Sequence, residues 1–491
     1  MFVLIITLSI ITCSKKQQPE LTGEVLAKIG DRTITTDEFI RRAEYTIRPP
    51  YCNRDDYIER KIVLNSIIAE KLMALEATDS ADELTQNEQY QNYITGRKEQ
   101  AMRQMLYQKL AVEKVKLDTS EIKQAFKLAG RTYELKFCNL KDRGITEKLK
   151  TDVLQAGSNL TDMCQQHLGI DELPTRGVGW DSKHEEAIQE ALFIAPLKVG
   201  QLVGPVETED GHFLLMEVSG WTDRPVITET AVQRRWNDVK ESLTAKHAGQ
   251  IFREYAAGVM RGKRVEFNRD IFLKLAEMFA PIYIKTPEDK KESLNNLFWK
   301  NETTPTPPAE NIDQIIDQPL LHIDGYIWTV RDLESELERR PLVFRERRIS
   351  KQDFPEQFKL AIVDLIRDKY ITQDAYKKGY DQLPVVQHNV AMWQDNMLAS
   401  FQRTKYLNAR GIVETSNDYI NVIENVLNPY IDSLQTKYAD TIEIDTDAFE
   451  KIKLTHIDMF VLQKNVPFEV IVPLFPLLTT DNRLDYGRKM N

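Results

Sequence analysis

Cysteine is scarce in this sequence, with 4 in 491 residues. Outside the apolar N-terminus, Cys52, Cys138 and Cys164 remain, an odd number. A chain of this length buries enough surface to fold without covalent staples, so no disulfide framework is expected. Basic charge is in deficit, 65 Lys and Arg against 75 Asp and Glu for a net charge of −10, which excludes a non-specific nucleic-acid partner. The interior of the chain has no apolar run long enough to cross a bilayer core of about 30 Å. It also has no phosphate-binding loop, zinc-protease helix, Gly-x-Ser-x-Gly elbow or dinucleotide fingerprint. Cys164-x-x-His167 has a spacing found in metal sites, but no second ligand pair accompanies it. It reads as one helical turn, and neither a metal nor any other cofactor is expected. The acidic residues are spread over helix faces, as solvated surfaces require. The alternating strand–helix pattern of two α/β lobes, which a solute-binding protein would need, is missing as well.

What the sequence does have begins at Met1. Residues 1–12 are almost wholly apolar yet too short to span a bilayer. Cys13 follows, and then the polar stretch Ser14-Lys15-Lys16-Gln17-Gln18-Pro19-Glu20. A cysteine followed at once by a polar spacer resembles a bacterial lipoprotein signal. That resemblance implies lipidation of Cys13 and a membrane tether, and Ser14 after the cysteine suits an outer-membrane destination. The alternatives are a plain cleaved signal peptide and a buried N-terminal strand.

The chain is organised around residues 131–218. Thr132-Tyr133-Glu134-Leu135-Lys136-Phe137 alternates as a strand with one buried face does. A helix is predicted from Thr146, as N-cap, to Ala156, with Gly157 as its stop. A second helical piece covers Leu160 to Leu168. The turn Gly177-Val178-Gly179-Trp180 follows, then Ala187 to Phe193, Leu197 to Val203, and Gly204-Pro205-Val206. The turn Glu209-Asp210-Gly211 leads into a last strand, His212 to Val218. The Gly-x-Gly-Trp turn, the run from Ala191 through Gly204-Pro205-Val206 and the ending Gly211-His212-Phe213-Leu214 occur in an order and spacing that resemble a parvulin-type peptidyl-prolyl isomerase domain. An unrelated small α+β domain is the alternative.

That resemblance implies two histidines, and both places hold something else. Phe137-Cys138-Asn139 occupies the first, at the end of the opening strand, and Phe213 occupies the second. His212 is one residue away, on the opposite face of its strand. Isomerising an X–Pro bond means crossing a barrier of about 20 kcal/mol, which requires neither nucleophile nor metal. An apolar pocket that binds the twisted amide better than the planar one is sufficient. Phe137, Phe213, Ile188 and Phe193 are the candidates to line such a pocket, with His212 and Cys138 as polar neighbours. Each also fits an ordinary core position, Ile188 and Phe193 above all.

On either side the chain reads as helical. Val25 to Phe39 is a strand, a Gly-Asp turn, a return strand and a helix capped by Thr35 or Thr36. Tyr57 to Ala77 is an amphipathic helix, a long helix covers about Asn87 to Leu117, and a shorter one starts at Ser120. This order resembles the N-terminal module of the SurA/PrsA group of extracytoplasmic foldases, in which a parvulin domain is inserted between chaperone helices. A helix from Thr228 to about Arg261 and a strand at Val265-Glu266-Phe267 would then return to that module. Lys300 to Glu310, with Pro305, Pro307 and Pro308, reads as a boundary, a semi-rigid extended linker or an exposed loop. Beyond it, Leu321 to Leu333 echoes Ala27 to Phe39, and Ile362 to Tyr370 echoes Leu64 to Leu72. This points to a duplicated module, which runs into a helical region from Asn389 to about Tyr438. The tail from Ile442 to Leu478 reads as alternating strand followed by a proline-broken edge or groove-filling segment.

The expected fold class is therefore α+β, mainly helical SurA-like chaperone modules with an inserted parvulin-like domain. The expected divisions are 1–20 signal and tether, 21–130 first module, 131–220 isomerase-like domain, 221–300 return helices, 301–312 linker, 313–440 second module and 441–491 tail. The function implied is a periplasmic folding factor that binds unfolded secreted or outer-membrane polypeptides. The alternative is an inactive structural or adaptor lipoprotein. The sequence sets no oligomeric state.

Overall fold

The structure is a computed structural model that describes residues 23–77, 82–180, 186–208, 211–284, 312–345, 349–412, 418–454 and 467–490. Cys13, its tether and nearly all of the proline-rich linker lie outside these residues.

The chain opens with a hairpin, β1 (Val25–Ile29) and β2 (Arg32–Thr35), turned at Gly30 with φ 61°. The Thr35 hydroxyl accepts the Glu38 N–H and starts α1 (Thr36–Glu44). Next come α2 (Tyr57–Ala77), α3 (Glu88–Leu110) and α4 (Thr119–Leu128). The inserted domain comprises β3 (Arg131–Leu140), α5 (Arg143–Ala156), α6 (Leu160–Leu168), β4 (Thr175–Gly179), α7 (Glu186–Phe193), β5 (Leu202–Glu207) and β6 (Phe213–Asp223). After it run α8 (Glu229–Val259), β7 (Glu266–Phe267) and α9 (Arg269–Tyr283). A second hairpin, β8 (Pro319–Ile323) and β9 (Tyr326–Thr329), leads into α10 (Val330–Arg339), α11 (Phe354–Lys377) and α12 (Pro384–Asn408). The chain ends with α13 (Asn428–Lys437), β10 (Ile442–Ile444), α14 (Thr446–Lys451) and β11 (Arg488–Lys489). The class is α+β, as expected.

Several local expectations need correction. The N-cap of α5 is Asp142, whose carboxylate accepts the Ile145 N–H; Thr146 sits inside the first turn and bonds back to the Asp142 carbonyl. Asp118 rather than Ser120 caps α4: it lies just before the first helical residue and its carboxylate accepts the Ser120 N–H at 3.0 Å, while Ser120 sits inside the first turn. The long helix α3 stops at Leu110, and only a 3-10 turn, Val112–Lys114, follows. Among the described residues of the tail, strand is confined to β10 and β11, and the alternation just after Ile444 is the buried face of α14; residues 455–466 of the expected strand lie outside the described residues.

The chain divides into two compact units, Met1–Tyr90 with Asp381–Phe460 and Ile471–Asn491, and Gln91–Tyr380 with Val461–Val470. In the first, the sheet order is β11-β10-β1-β2. The N-terminal hairpin is thus completed by the C-terminal end of the chain, through Ala27↔Ile444 and Ile29↔Ile442. The second unit contains the inserted domain and a sheet ordered β7-β8-β9. Of the residues expected to return to the first module, α8 packs on α4 and sets Phe252 edge-on to Tyr107 of α3, whereas β7 pairs with β8, and Phe272, Leu275 and Phe279 of α9 pack with Phe354, Phe358 and Ile362 of α11.

The first unit is fastened by buried charge. Arg42 grips both oxygens of Glu70, at 2.7 and 2.9 Å, with both side chains fully buried. Its Nη2 also donates to the Leu474 carbonyl at 2.9 Å, anchoring the proline-broken tail segment as groove filling. Lys71 Nζ lies 2.9 Å from Glu38 and 3.0 Å from Asp395 of α12; Asp395 also takes Arg32 at 2.8 Å. His388 Nε2 is 2.9 Å from the other Glu38 oxygen. Burial alone would raise the Glu38 carboxyl, but the neighbouring Lys71 ammonium and His388 outweigh it and hold it at about 2. Charges buried this deeply are tolerated only when each has its partner. The network therefore fixes how α1, α2 and α12 meet.

Candidate functional site

The inserted domain hangs from the helical frame by two helices. α4 enters it and α8 leaves it, and they pack on each other through Ile122, Ala125, Val239 and Leu243. Between them lies an antiparallel sheet ordered β4-β3-β6-β5, with the elements in chain order strand, helix, helix, strand, helix, strand, strand. Asn159 caps α6 by accepting the Asp162 N–H, while Gly157 and Gly169, both left-handed, end α5 and α6. These signals let two short helices follow one another on one side of the sheet.

The register of β3 with β6 decides which side chains meet. Phe137 faces Met216, Cys138 faces Leu215, Asn139 faces Leu214 and Leu140 faces Phe213. Residues directly opposite in an antiparallel pair share a face, and the face alternates along the strand. Phe137 therefore lies on the face of Tyr133, Leu135, Leu214 and Met216. There it packs with Ile188 and Phe193 of α7 and with Trp180. Phe213 lies on the other face, with Cys138. That face is covered by α5 and α6 through Leu149, Val153, Leu160 and Cys164. The expectation that Phe137 and Phe213 line one pocket is thus corrected: they are on opposite sides of the sheet.

On the first face the aromatic group is tight. The Phe193 ring centroid is 5.6 Å from that of Tyr133 and 5.6 Å from that of Trp180, the latter edge-on. Tyr133 is fully buried and its hydroxyl accepts the Leu197 N–H at 3.2 Å, fixing the start of the loop between α7 and β5. That loop exposes two aliphatic side chains, Ile194 at 64% and Val199 at 62%. His212 sits at the start of β6, half-buried, with its Nδ1 3.2 Å from the side-chain nitrogen of Asn139 at the rim of the same face.

On the second face two thiols meet. Cys138 and Cys164 are both buried and reduced. A hydrogen bond between them lowers the Cys138 thiol and, together with burial, pushes Cys164 up. Cys164 contributes to this face as a core residue, and among the described residues no cluster of His, Cys, Asp or Glu is arranged to hold a metal. Among the described residues neither face carries a pair of imidazoles, and no acid–base couple converges on the sheet.

The six expected site residues therefore fall into two groups: Phe137, Ile188, Phe193 and His212 on one side, Cys138 and Phe213 on the other. The sequence reading missed Tyr133 and Trp180, which order the first group, and Asn139, which holds His212. Trp180 was signalled by its place beside Gly177 and Gly179; nothing local marked Tyr133. Among the described residues no helix is long and apolar enough to cross a membrane.

No protein-family model matches the chain. The foldase protein PrsA of Geobacillus sp. (strain WCH70) is similar to it, 24% identical over 239 residues that cover 45% of this chain and 78% of the relative. A crystal structure of foldase protein PrsA from Streptococcus pneumoniae str. Canada MDR_19A is similar at 12% identity, covering 46% of this chain and 91% of that one with a TM-score of 0.18.

Proposed function

We propose that the chain is a foldase of the SurA/PrsA kind, supported by its similarity to PrsA, that works outside the cytoplasm, tethered through a lipid on Cys13, and holds unfolded secreted or outer-membrane polypeptides. The observation that carries this reading is the insertion. A self-contained sheet domain is hung between α4 and α8 of a helical frame, so that domain and frame each offer surface to an extended client. Ile194 and Val199 supply shape-tolerant apolar contact beside the Tyr133–Phe193–Trp180 group. Contacts of this kind are weak singly and suit clients without fixed structure.

The chemistry assigned to the domain follows from what its faces hold. Turning an X–Pro amide needs preferential binding of the twisted bond in an apolar, water-poor setting. Both faces are apolar, but the two rings expected to converge are separated by the sheet, and the His212 ring is tied to Asn139. We therefore assign the domain to client binding, with turnover of X–Pro bonds weak or lost. An adaptor role in an envelope assembly is the second reading, favoured by that same lack of convergence.

Two assays on the full-length protein separate these readings. Suppression of the aggregation of a denatured client, with an X–Pro test peptide isomerising at its unaided rate of tens of seconds or longer, is the expected outcome. Acceleration of the peptide that disappears in Phe213→Ala would instead make the second face an isomerase site. If neither activity is present and one partner co-purifies at fixed stoichiometry, the adaptor reading replaces the chaperone.

A further inference from the structure

The repeat within the chain extends past the hairpins. Glu266, Asn268, Asp270, Phe272 and Lys274 recur at identical spacing as Glu443, Asp445, Asp447, Phe449 and Lys451. Both segments are a short strand running into a helix. Asn268 caps α9 by accepting the Ile271 N–H, and Asp445 caps α14 by accepting the Ala448 N–H, three residues on in each case. Phe272 and Phe449 are both buried. Each copy is thus a hairpin and two helices, followed later by a strand–helix segment: β1 to α9 in the first copy, β8 to α14 in the second.

The pairing between these parts is crossed. Hairpin β1–β2 of the first copy receives β10 of the second, with Ala27↔Ile444 and Lys28↔Glu443. Hairpin β8–β9 of the second copy receives β7 of the first, with Leu321↔Phe267 and His322↔Glu266. Leu321 is the counterpart of Ala27, His322 of Lys28, Phe267 of Ile444 and Glu266 of Glu443, so the two registers are the same register. The helices cross in the same way. α2 of the first copy packs on α12 of the second through Lys71–Asp395 and Ala74, Ala77 and Leu398. Arg103, on α3 of the first copy, donates to Thr372 on α11 of the second at 2.8 Å.

We propose that the chain is an internal duplication whose two copies have reciprocally exchanged their C-terminal halves. Each hairpin–helix–helix surface is an acceptor built for the strand–helix segment of another copy of the same repeat, here supplied by the other half of the chain. Equal registers make the two donor segments equivalent in kind, which is the condition for exchange between identical elements. Both cores then require both copies, and the covalent link between the copies is dispensable once the chain has folded.

The test uses the full-length protein in a Cys13→Ser background, with a specific protease site inserted between Thr306 and Pro307 and cut after folding. The two pieces are expected to elute together at the mass of the intact chain and to part only in denaturant. Added to this background, Lys28→Cys with Glu443→Cys, treated with a short bismaleimide, is expected to join the cut pieces into one band on a denaturing gel. Glu266→Cys with His322→Cys is expected to do the same, while Lys28→Cys with Glu266→Cys, both in the first piece, is expected to leave them separate. Pieces that elute apart while folded, or that stay together without either joined band, would overturn the exchange.

Discussion

Lys71→Met replaces a fully buried ammonium by an apolar side chain of similar length and leaves two carboxylates behind. Glu38 and Asp395 lie 2.9 and 3.0 Å from Lys71 Nζ. Removing one member of a buried ion pair usually costs about 3–5 kcal/mol, because the remaining charge is left uncompensated. Here each orphan keeps one neighbour, Glu38 the His388 ring at 2.9 Å and Asp395 the Arg32 guanidinium at 2.8 Å. That puts the expected loss near the lower end, about 3 kcal/mol at pH 7. The pH dependence distinguishes charge from packing. In the native protein the Glu38 carboxyl sits at about 2, below its ordinary 4.5, so as pH falls the unfolded chain takes up that proton first. The stability that Glu38 confers, about 3 kcal/mol, is present in full above its ordinary value and drains away between pH 4.5 and 2. Without Lys71, burial dominates and the native carboxyl rises above its unfolded value. The folded state then binds the proton more readily, and the deficit of the variant shrinks on acidification. Urea unfolding followed by far-ultraviolet circular dichroism at pH 7 and pH 5 reads both quantities. A loss below about 1 kcal/mol at pH 7, or a deficit that does not narrow at pH 5, would refute the account.

Other consequences are more local. Gly204 has φ +113°, and an added Cβ would fall 2.4 Å from the Leu214 carbonyl oxygen; Gly204→Ala should therefore cost at least about 1–3 kcal/mol and loosen β5 from β6, seen as faster amide exchange along both strands. Phe193→Ala removes a buried ring held between Tyr133 and Trp180 and should cost about 3–5 kcal/mol, with a shift in Trp180 fluorescence. In α3, a Cβ on Gly96 would stand 2.0 Å from the Arg339 carbonyl, too close for any rotamer to relieve. Gly96→Ala should thus lower the thermal midpoint, and an unchanged midpoint would contradict the close approach of α3 to the end of α10. Cys52, Cys138 and Cys164 are buried, and burial pushes the Cys52 thiol up to about 12. A Cys13→Ser variant should show no reaction with a water-soluble thiol reagent until it is unfolded.

What the sequence made legible is what neighbouring residues decide. Tyr57–Ala77 was readable to the residue, because its apolar spacing runs unbroken between the polar flanks Asp55-Asp56 and Thr78-Asp79, and Leu160–Leu168 because Asn159 and Gly169 bracket it. Both hairpins were visible in their Gly-Asp and Asp-Gly turns, and Thr35 and Thr329 cap the helices that follow at equivalent places. Where two candidates competed within one turn, as Asp142 and Thr146 did, composition did not rank them. The Thr146 hydroxyl found a carbonyl four residues back, a bond open to any threonine inside a helix. The site depended on a quantity no local pattern holds. Whether Phe137 and Phe213 share a face is a matter of parity in the β3–β6 register, and a slip of one residue would reverse the answer. The third strands were harder still. At two and three residues, β7 and β10 are too short to show alternation, and each finds its hairpin far along the chain. An echo between repeats says that a strand has a slot, but not which of two equivalent slots it fills. Within the first copy the inserted domain and α8 separate the hairpin from its own strand–helix segment, so nearness along the chain does not rank the two slots.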